Sequence, residues 1–269
     1  ITIEKAVNKL KEKMQKGEIN NYDLDDIIET IKTDKEATLQ EKRGAIALFE
    51  GAKTWGIFAS KNEKGTNIED LIKPGTSILD LSCYPAIGTF NIRALVIGLL
   101  CKHIFEQRVL ARKKEELIDL RHGLGMTGEK REMPLVWILI DEGHEFLPRS
   151  GKTAATDALV QLLREGRQPG ISLVLATQQP GKIHTDVMTQ SDIVISHRVT
   201  SRHDIEALNE IMQSYMAETI QQKLDELPRE KGTAIILDDV AEKIYSIRVR
   251  PRFTWHGGES PVAVKKKEV

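Results

Sequence analysis

Two adjacent carboxylates, Asp141 and Glu142, close an apolar run, Val136-Trp137-Ile138-Leu139-Ile140. Such a run suits a strand buried in a parallel sheet. The carboxyl ends of those strands are where open α/β sheets hold ligands. An acid at that end can hold Mg²⁺ through its water shell, because Mg²⁺ keeps most of its waters. That is the role open to Asp141. The next acid, Glu142, can orient and polarise an attacking water. Together they suit metal-assisted hydrolysis. Taken alone, the segment also fits a strand that merely ends in an acidic turn. His144, two residues on, fits a histidine satisfied by its neighbours better than a metal ligand.

A phosphate cradle is the missing partner for this pair. Gly151-Lys152-Thr153 looks like one, but the loop requires Gly-x-x-x-x-Gly-Lys-Ser/Thr, and position 146 is Phe146 instead of Gly. The segment reads as a loop feeding a helix capped near Thr153. Gly51-Ala52-Lys53-Thr54 lies inside a helical stretch. No other Gly-Lys-Ser/Thr occurs, so the chain has no recognisable Walker A sequence. No His/Cys spacing suits zinc, and no Gly-x-Ser-x-Gly elbow is present.

The elements that must position these residues alternate along the chain. Strands are expected at 76–82, 135–141, 172–177, 192–196, 233–238 and 243–249. Helices are expected at about 86–122, 153–165, 182–189, 202–213 and 216–226. Apolar strands separated by helices imply an α/β fold with a mostly parallel sheet and helices on both faces. Before them, residues 1–58 read as three helices. Ile3, Ala6, Val7, Leu10 and Met14 recur at helical spacing, and Asn20-Asn21 breaks the first helix. The expected organisation is a helical segment or inserted subdomain over 1–58, a core over 59–249 and a tail over 250–269. A loop rich in Gly and charge is expected at 123–132.

Composition narrows the partners little. Of 269 residues, 39 are Lys or Arg and 40 are Asp or Glu, for a formal net charge of -1. No global basic field advertises nucleic acid, although a ring can still concentrate positive charge in its pore. Cys83 and Cys101 are too few for a disulfide framework and read as small buried hydrophobes in a reducing compartment. The most apolar run, Ala94 to Cys101, is far short of the roughly 20 residues that span a bilayer. A cytoplasmic protein without membrane segments is expected. The start at Ile1 instead of Met suggests a fragment.

Three motifs carry a resemblance. They are the Asp141-Glu142 strand with Gly143-His144-Glu145-Phe146-Leu147-Pro148, the run Leu163-Arg164-Glu165-Gly166-Arg167-Gln168-Pro169-Gly170-Ile171, and Leu175-Ala176-Thr177-Gln178-Gln179-Pro180. With Val249-Arg250-Pro251-Arg252 and His256-Gly257-Gly258, the sequence over about 40–258 resembles the HerA–FtsK superfamily of hexameric translocases, most closely its HerA-like branch. The resemblance implies a RecA-like P-loop NTPase core that takes ATP and Mg²⁺. The apolar strand becomes Walker B, and Asp141 holds Mg²⁺ through water. Arg167 matches an arginine finger reaching a neighbouring subunit's nucleotide. Arg suits that task because its planar fork stays charged beside the γ-phosphoryl group. Gln178 matches a sensor for the γ-phosphate or the lytic water. Arg250 and Arg252 are candidates for the nucleotide base or an interface; Arg198 and Arg202 are solvated, or contact the nucleotide or an interface. The family's Walker A and N-terminal barrel would precede Ile1.

The resemblance further implies a homo-hexameric ATPase, a translocase or helicase on double-stranded DNA. It would work in DNA end processing with a nuclease of the NurA kind, or in defence with another effector. Two alternatives remain. The chain could be a ring component without activity of its own, or part of a secretion or conjugation ATPase of the same superfamily. The tail and the lack of membrane segments lean against the latter.

Overall fold

A computed structural model of the chain describes residues 2–254, apart from 62, 64, 85, 88, 89, 123–132, 200 and 212–216. The loop expected at 123–132 and the His256-Gly257-Gly258 ending lie outside the described residues. The chain forms two compact units, 1–178 and 179–269.

The first unit opens with three helices, α1 (Thr2–Gln15), α2 (Leu24–Thr33) and α3 (Leu39–Lys53). Ala6 and Leu10 of α1, Ile27 and Ile31 of α2 and Ala45 of α3 form their shared core. Capping boxes start two of them: Asp23 with Asp26 on α2, and Thr38 with Glu41 on α3. Each satisfies amide donors that a helix start leaves unpaired. A short helix α4 (Ile68–Leu71) and a small antiparallel pair, β1 (Ala86–Ile87) with β2 (Phe90–Asn91), lead to the long α5 (Ile92–His122).

The strand expected at 76–82 does not form. Those residues join no ladder among the described residues, and Ile78 is 90% exposed. The residues have the composition of a strand, but strand geometry persists only where a neighbour pairs its backbone.

Helix α5 turns one stripe inward. Ala94, Ile97, Cys101, Ile104 and Arg108 are all buried, at alternating steps of three and four. Gly98 on this helix lets it close on the loop before α6 (Thr156–Glu165). A Cβ there would lie 2.6 Å from the Ala154 carbonyl oxygen. Helix α6 packs on α5 and on β4 (Ile171–Leu175), and burial raises the Cys101 thiol pKa to about 12. Cys101 thus matches its expected burial, whereas Cys83, expected to be buried, is exposed in a turn.

Strand β3 (Val136–Ile140) pairs parallel with β4, Val136 opposite Ile171 and Ile140 opposite Leu175. The link through α6 makes the pair a βαβ unit, as the alternating sequence implied. Ile140 and Ile171 face the packed side. The other face is less covered than expected for helices on both sides, with Trp137 69% and Leu139 71% exposed.

In the second unit, α7 (Thr185–Thr189), α8 (Arg202–Ile211) and α9 (Ala217–Glu226) accompany β5 (Ile193–His197), β6 (Thr233–Asp238) and β7 (Lys243–Arg248). These strands stand close to where the sequence put them, but they pair antiparallel in the order β5-β6-β7. Only four residues join β6 to β7, too short a link for a parallel crossover. The mixed α/β class stands, with its parallel pairing in β3–β4. Among the described residues no helix is long and apolar enough to cross a membrane.

Candidate active site

Parallel pairing brings the ends of β3 and β4 to one edge. Asp141 and Glu142 follow β3, and Ala176, Thr177 and Gln178 follow β4. Backbone bonds lock that edge: Ala176 N–H donates to Ile140 O at 2.9 Å, and Gly143 N–H donates to Ala176 O at 2.8 Å. The chain then turns sharply. Glu142 sits in the left-handed region at φ 49°, ψ 46°, and a 3₁₀ turn, Gly143–Glu145, follows. A non-glycine residue seldom adopts that conformation, and its cost is offset only by the structure around it. Arg93, in the first turn of α5, pairs with Glu145 at 3.3 Å and ties the turn to the helix.

The side chains converge at this turn. Gln178 Nε2 donates to Glu142 Oε1 at 2.6 Å. His144 Nδ1 lies 2.9 Å from Thr177 Oγ1, where either group can donate. The same ring nitrogen is 3.3 Å from Glu142 Oε2. That second carboxylate oxygen is buried without a hydrogen-bond partner among the described residues. A buried, unpaired carboxylate oxygen is costly. Asp141 is exposed, and its Oδ1 accepts the Glu142 N–H at 2.9 Å.

Among the described residues no three His, Cys, Asp or Glu side chains cluster as a metal site. One exposed carboxylate is nevertheless what Mg²⁺ needs when waters and phosphate oxygens fill the rest of its octahedron. Asp141 fits that demand, and Glu142 remains available for proton chemistry.

Arg167 stands elsewhere. It is exposed in the turn between α6 and β4, at the amino end of the strands. Five strand residues at about 3.3 Å each leave roughly 16 Å between that edge and the carboxylates. Arg167 therefore cannot serve the Glu142 of its own chain. Gly170 closes its turn at φ +82°, and a Cβ there would overlap Leu135 Cδ2 at 2.4 Å.

The remaining candidates lie in the second unit. Arg250 and Arg252 are exposed, and the Arg250 guanidinium lies 4.0 Å from the Phe253 ring centroid. Arg202, at the start of α8, pairs with Glu206 at 3.1 Å, and Arg198 is exposed beside β5. The lookalike Gly151-Lys152-Thr153 is not a phosphate loop. Lys152 pairs with Asp157 at 2.8 Å, and Thr153 Oγ1 donates to Phe146 O at 2.7 Å.

Sequence reasoning placed Thr177 in a motif without giving it a role and missed Arg93. An arginine opening a helix carries no motif of its own. Only pairing across β3–β4 and across the α5 start shows what they touch. His144 is held by its neighbours, as its sequence context suggested.

No family model matches the sequence. Curated relatives do. The chain is 25% identical over 201 residues to the DNA double-strand break repair helicase HerA of Pyrococcus furiosus, covering 68% of this chain and 34% of that protein. It is 32% identical over 119 residues to a probable DNA double-strand break repair helicase HerA of Methanocaldococcus jannaschii, covering 40% of this chain and 24% of that protein. Against the Sulfurisphaera tokodaii HerA helicase, identity is 23% over 243 residues, covering 86% of this chain and 44% of the relative. The chain thus spans less than half the length of these relatives. Among solved structures, the genome packaging NTPase B204 of Sulfolobus turreted icosahedral virus 2, in complex with sulfate, aligns over 68% of this chain and 72% of that one. Its TM-score is 0.44 at 15% identity. In sequence the chain is HerA-like, and the ATPase resemblance read from its motifs stands.

Proposed function

We propose that this chain is the Walker B and sensor portion of an ATP-driven, hexameric DNA translocase of HerA type. ATP bound with Mg²⁺ at a subunit interface is the substrate. Asp141 would hold the metal through water, Glu142 would accept a proton from the attacking water, and Gln178 would orient Glu142 and the γ-phosphate. Arg167 works on the nucleotide of the neighbouring subunit and neutralises charge that grows on the transferring phosphoryl group. Arg250 and Arg252 are proposed contacts to the base or the interface. The metal, when bound, would supply charge neutralisation on the phosphate oxygens.

The observation that supports this best is the shared edge of β3 and β4. It gathers Asp141, Glu142 and Gln178, with Gln178 bonded to Glu142 at 2.6 Å, while Arg167 sits at the other end of the same strands. Parts for two active sites in one chain make sense when copies sit side by side in a ring. Translocation on double-stranded DNA, action in DNA end processing beside a nuclease of the NurA kind or another effector, and a cytoplasmic location complete the proposal. The repair-helicase name of the HerA relatives supports the part in DNA repair; the rest follows from the family resemblance of the motifs.

A second reading applies to the isolated chain. It contains no Gly-x-x-x-x-Gly-Lys-Ser/Thr, which favours a piece that binds ATP weakly and does not turn it over alone. The test is Glu142→Gln in the full-length protein. Nucleotide binding should persist while hydrolysis falls by about 100-fold or more, the scale of losing a general base. Undiminished hydrolysis removes Glu142 from the mechanism.

A further inference from the structure

Arg108 is the anomaly of α5. It occupies a core position on the inward stripe, four residues after Ile104, and is 0% exposed. An unpaired buried charge is expensive, so its contacts show what the position is for. Its Nε donates to Pro169 O at 2.7 Å, and its Nη1 donates to Met133 O at 2.9 Å. Its counter-charge is Glu115, two turns further along α5, at 3.3 Å. Glu115 is itself held by Arg112 at 3.5 Å.

The two carbonyls mark the entries to adjacent strands. Met133 comes three residues before β3. Pro169 lies in the Gly166–Gly170 turn, two residues after Arg167. The Pro169 carbonyl shares its peptide plane with the Gly170 N–H, which donates to Arg167 O at 3.2 Å, so a bond to that carbonyl holds the turn around Arg167. One planar guanidinium thus ties that turn to α5 and to the start of β3. The fit is close, since a Cβ on Gly170 would lie 3.4 Å from Arg108 Nη2. That nitrogen is buried with no hydrogen-bond partner among the described residues. A hydrophobic side chain would fill the site without that cost, but it could not hold two carbonyls.

We infer that Arg108 is a positioning residue for Arg167, acting through Pro169 to fix the turn that presents the finger to a neighbouring subunit. This rests on the reading of Arg167 given above. Arg108 touches no nucleotide; it restricts where the Arg167 backbone can be. Positioning of this kind acts on the transition state, so its loss lowers kcat more than it alters KM.

The experiment compares Arg108→Lys, Arg167→Lys and the double variant in the full-length protein, by ATP hydrolysis and by amide hydrogen exchange over residues 166–171. The Gly166, Gly170 and Ile171 amides all donate to backbone carbonyls, so their exchange reports on the turn. Lysine keeps the charge and loses the planar fork. Arg108→Lys should lower kcat about tenfold with the KM for ATP changed by less than about twofold. Added to Arg167→Lys it should cost nothing more, because both act through one group. Exchange of the three amides should rise by about tenfold, with α1–α3 unchanged. Near-normal turnover by Arg108→Lys, or losses that multiply in the double variant, overturns the inference. Full turnover by Arg167→Lys and Arg167→Ala instead overturns the reading of Arg167. The exchange result then still decides whether Arg108 holds the turn, and unchanged protection refutes it. Glu115→Gln, which leaves Arg108 in place without its counter-charge, is a second variant expected to move both readouts the same way.

Discussion

Gln178 donates to Glu142 at 2.6 Å, although the two residues are 36 positions apart. The bond exists because β3 and β4 run parallel and in register to a common edge. It engages one oxygen of a carboxylate whose other oxygen is buried with no hydrogen-bond partner among the described residues, on a residue held in the left-handed region. The strain and the chemistry therefore meet at one residue.

That coincidence predicts a trade between stability and activity. Glu142→Gly removes both the side-chain penalty at φ 49° and the buried unpaired oxygen. The expected net gain is about 1 kcal/mol. Thermal unfolding should show a midpoint raised by about 3 °C, with ATP hydrolysis abolished. A lowered midpoint would mean that the turn is not strained.

The proposed ring, with Arg167 acting on a neighbour's nucleotide, predicts complementation between subunits. Arg167→Ala rings and Glu142→Gln rings should each be inactive. In mixed rings, an intact Glu142 from one variant faces an intact Arg167 from the other. Some hydrolysis should return, in proportion to such interfaces, when the two proteins are co-assembled and assayed. No recovery in rings shown to be mixed counts against a finger acting in trans.

Acid should loosen the helical start of the chain. Burial of Asp23 raises its pKa, but amide donors from Asp26, Lys61 and Asp25 outweigh it and hold the carboxyl below its ordinary value of 3.8. A depressed pKa contributes stability that is fully present above the unfolded value and is lost as pH falls through the folded one. Helicity of α1–α3 should thus decline below pH 3.8, followed by circular dichroism. Asp23→Asn, still a good cap but without a charge to lose, should flatten the decline. An identical acid transition in both proteins would exclude the cap as its source.

Much of the secondary structure was legible. The strands β3 to β7 lie within a residue or two of their expected places, because apolar runs bounded by Gly, Pro and Asp are strong local signals. Pairing was less legible. The strand expected at 76–82 found no neighbour, and β5–β7 paired antiparallel. Hydropathy reports burial, whereas direction depends on the connection and on which edge is free. Trp137 and Leu139 show the same limit, with strand-core composition on an exposed face.

The sequence by itself determined the chemistry available. Asp141 and Glu142 after an apolar run, Gln178 after the next such run and Arg167 in the segment between them are set by residue order alone. Only the tertiary structure decided what meets what. Register put Gln178 on Glu142 and Thr177 on His144. Strand length set Arg167 at the far edge, and burial turned Arg108 from one more basic residue of α5 into a clamp on Pro169. The physical reason is range: side-chain type and spacing act over a few residues, whereas hydrogen bonds between strands join residues that only the fold makes neighbours.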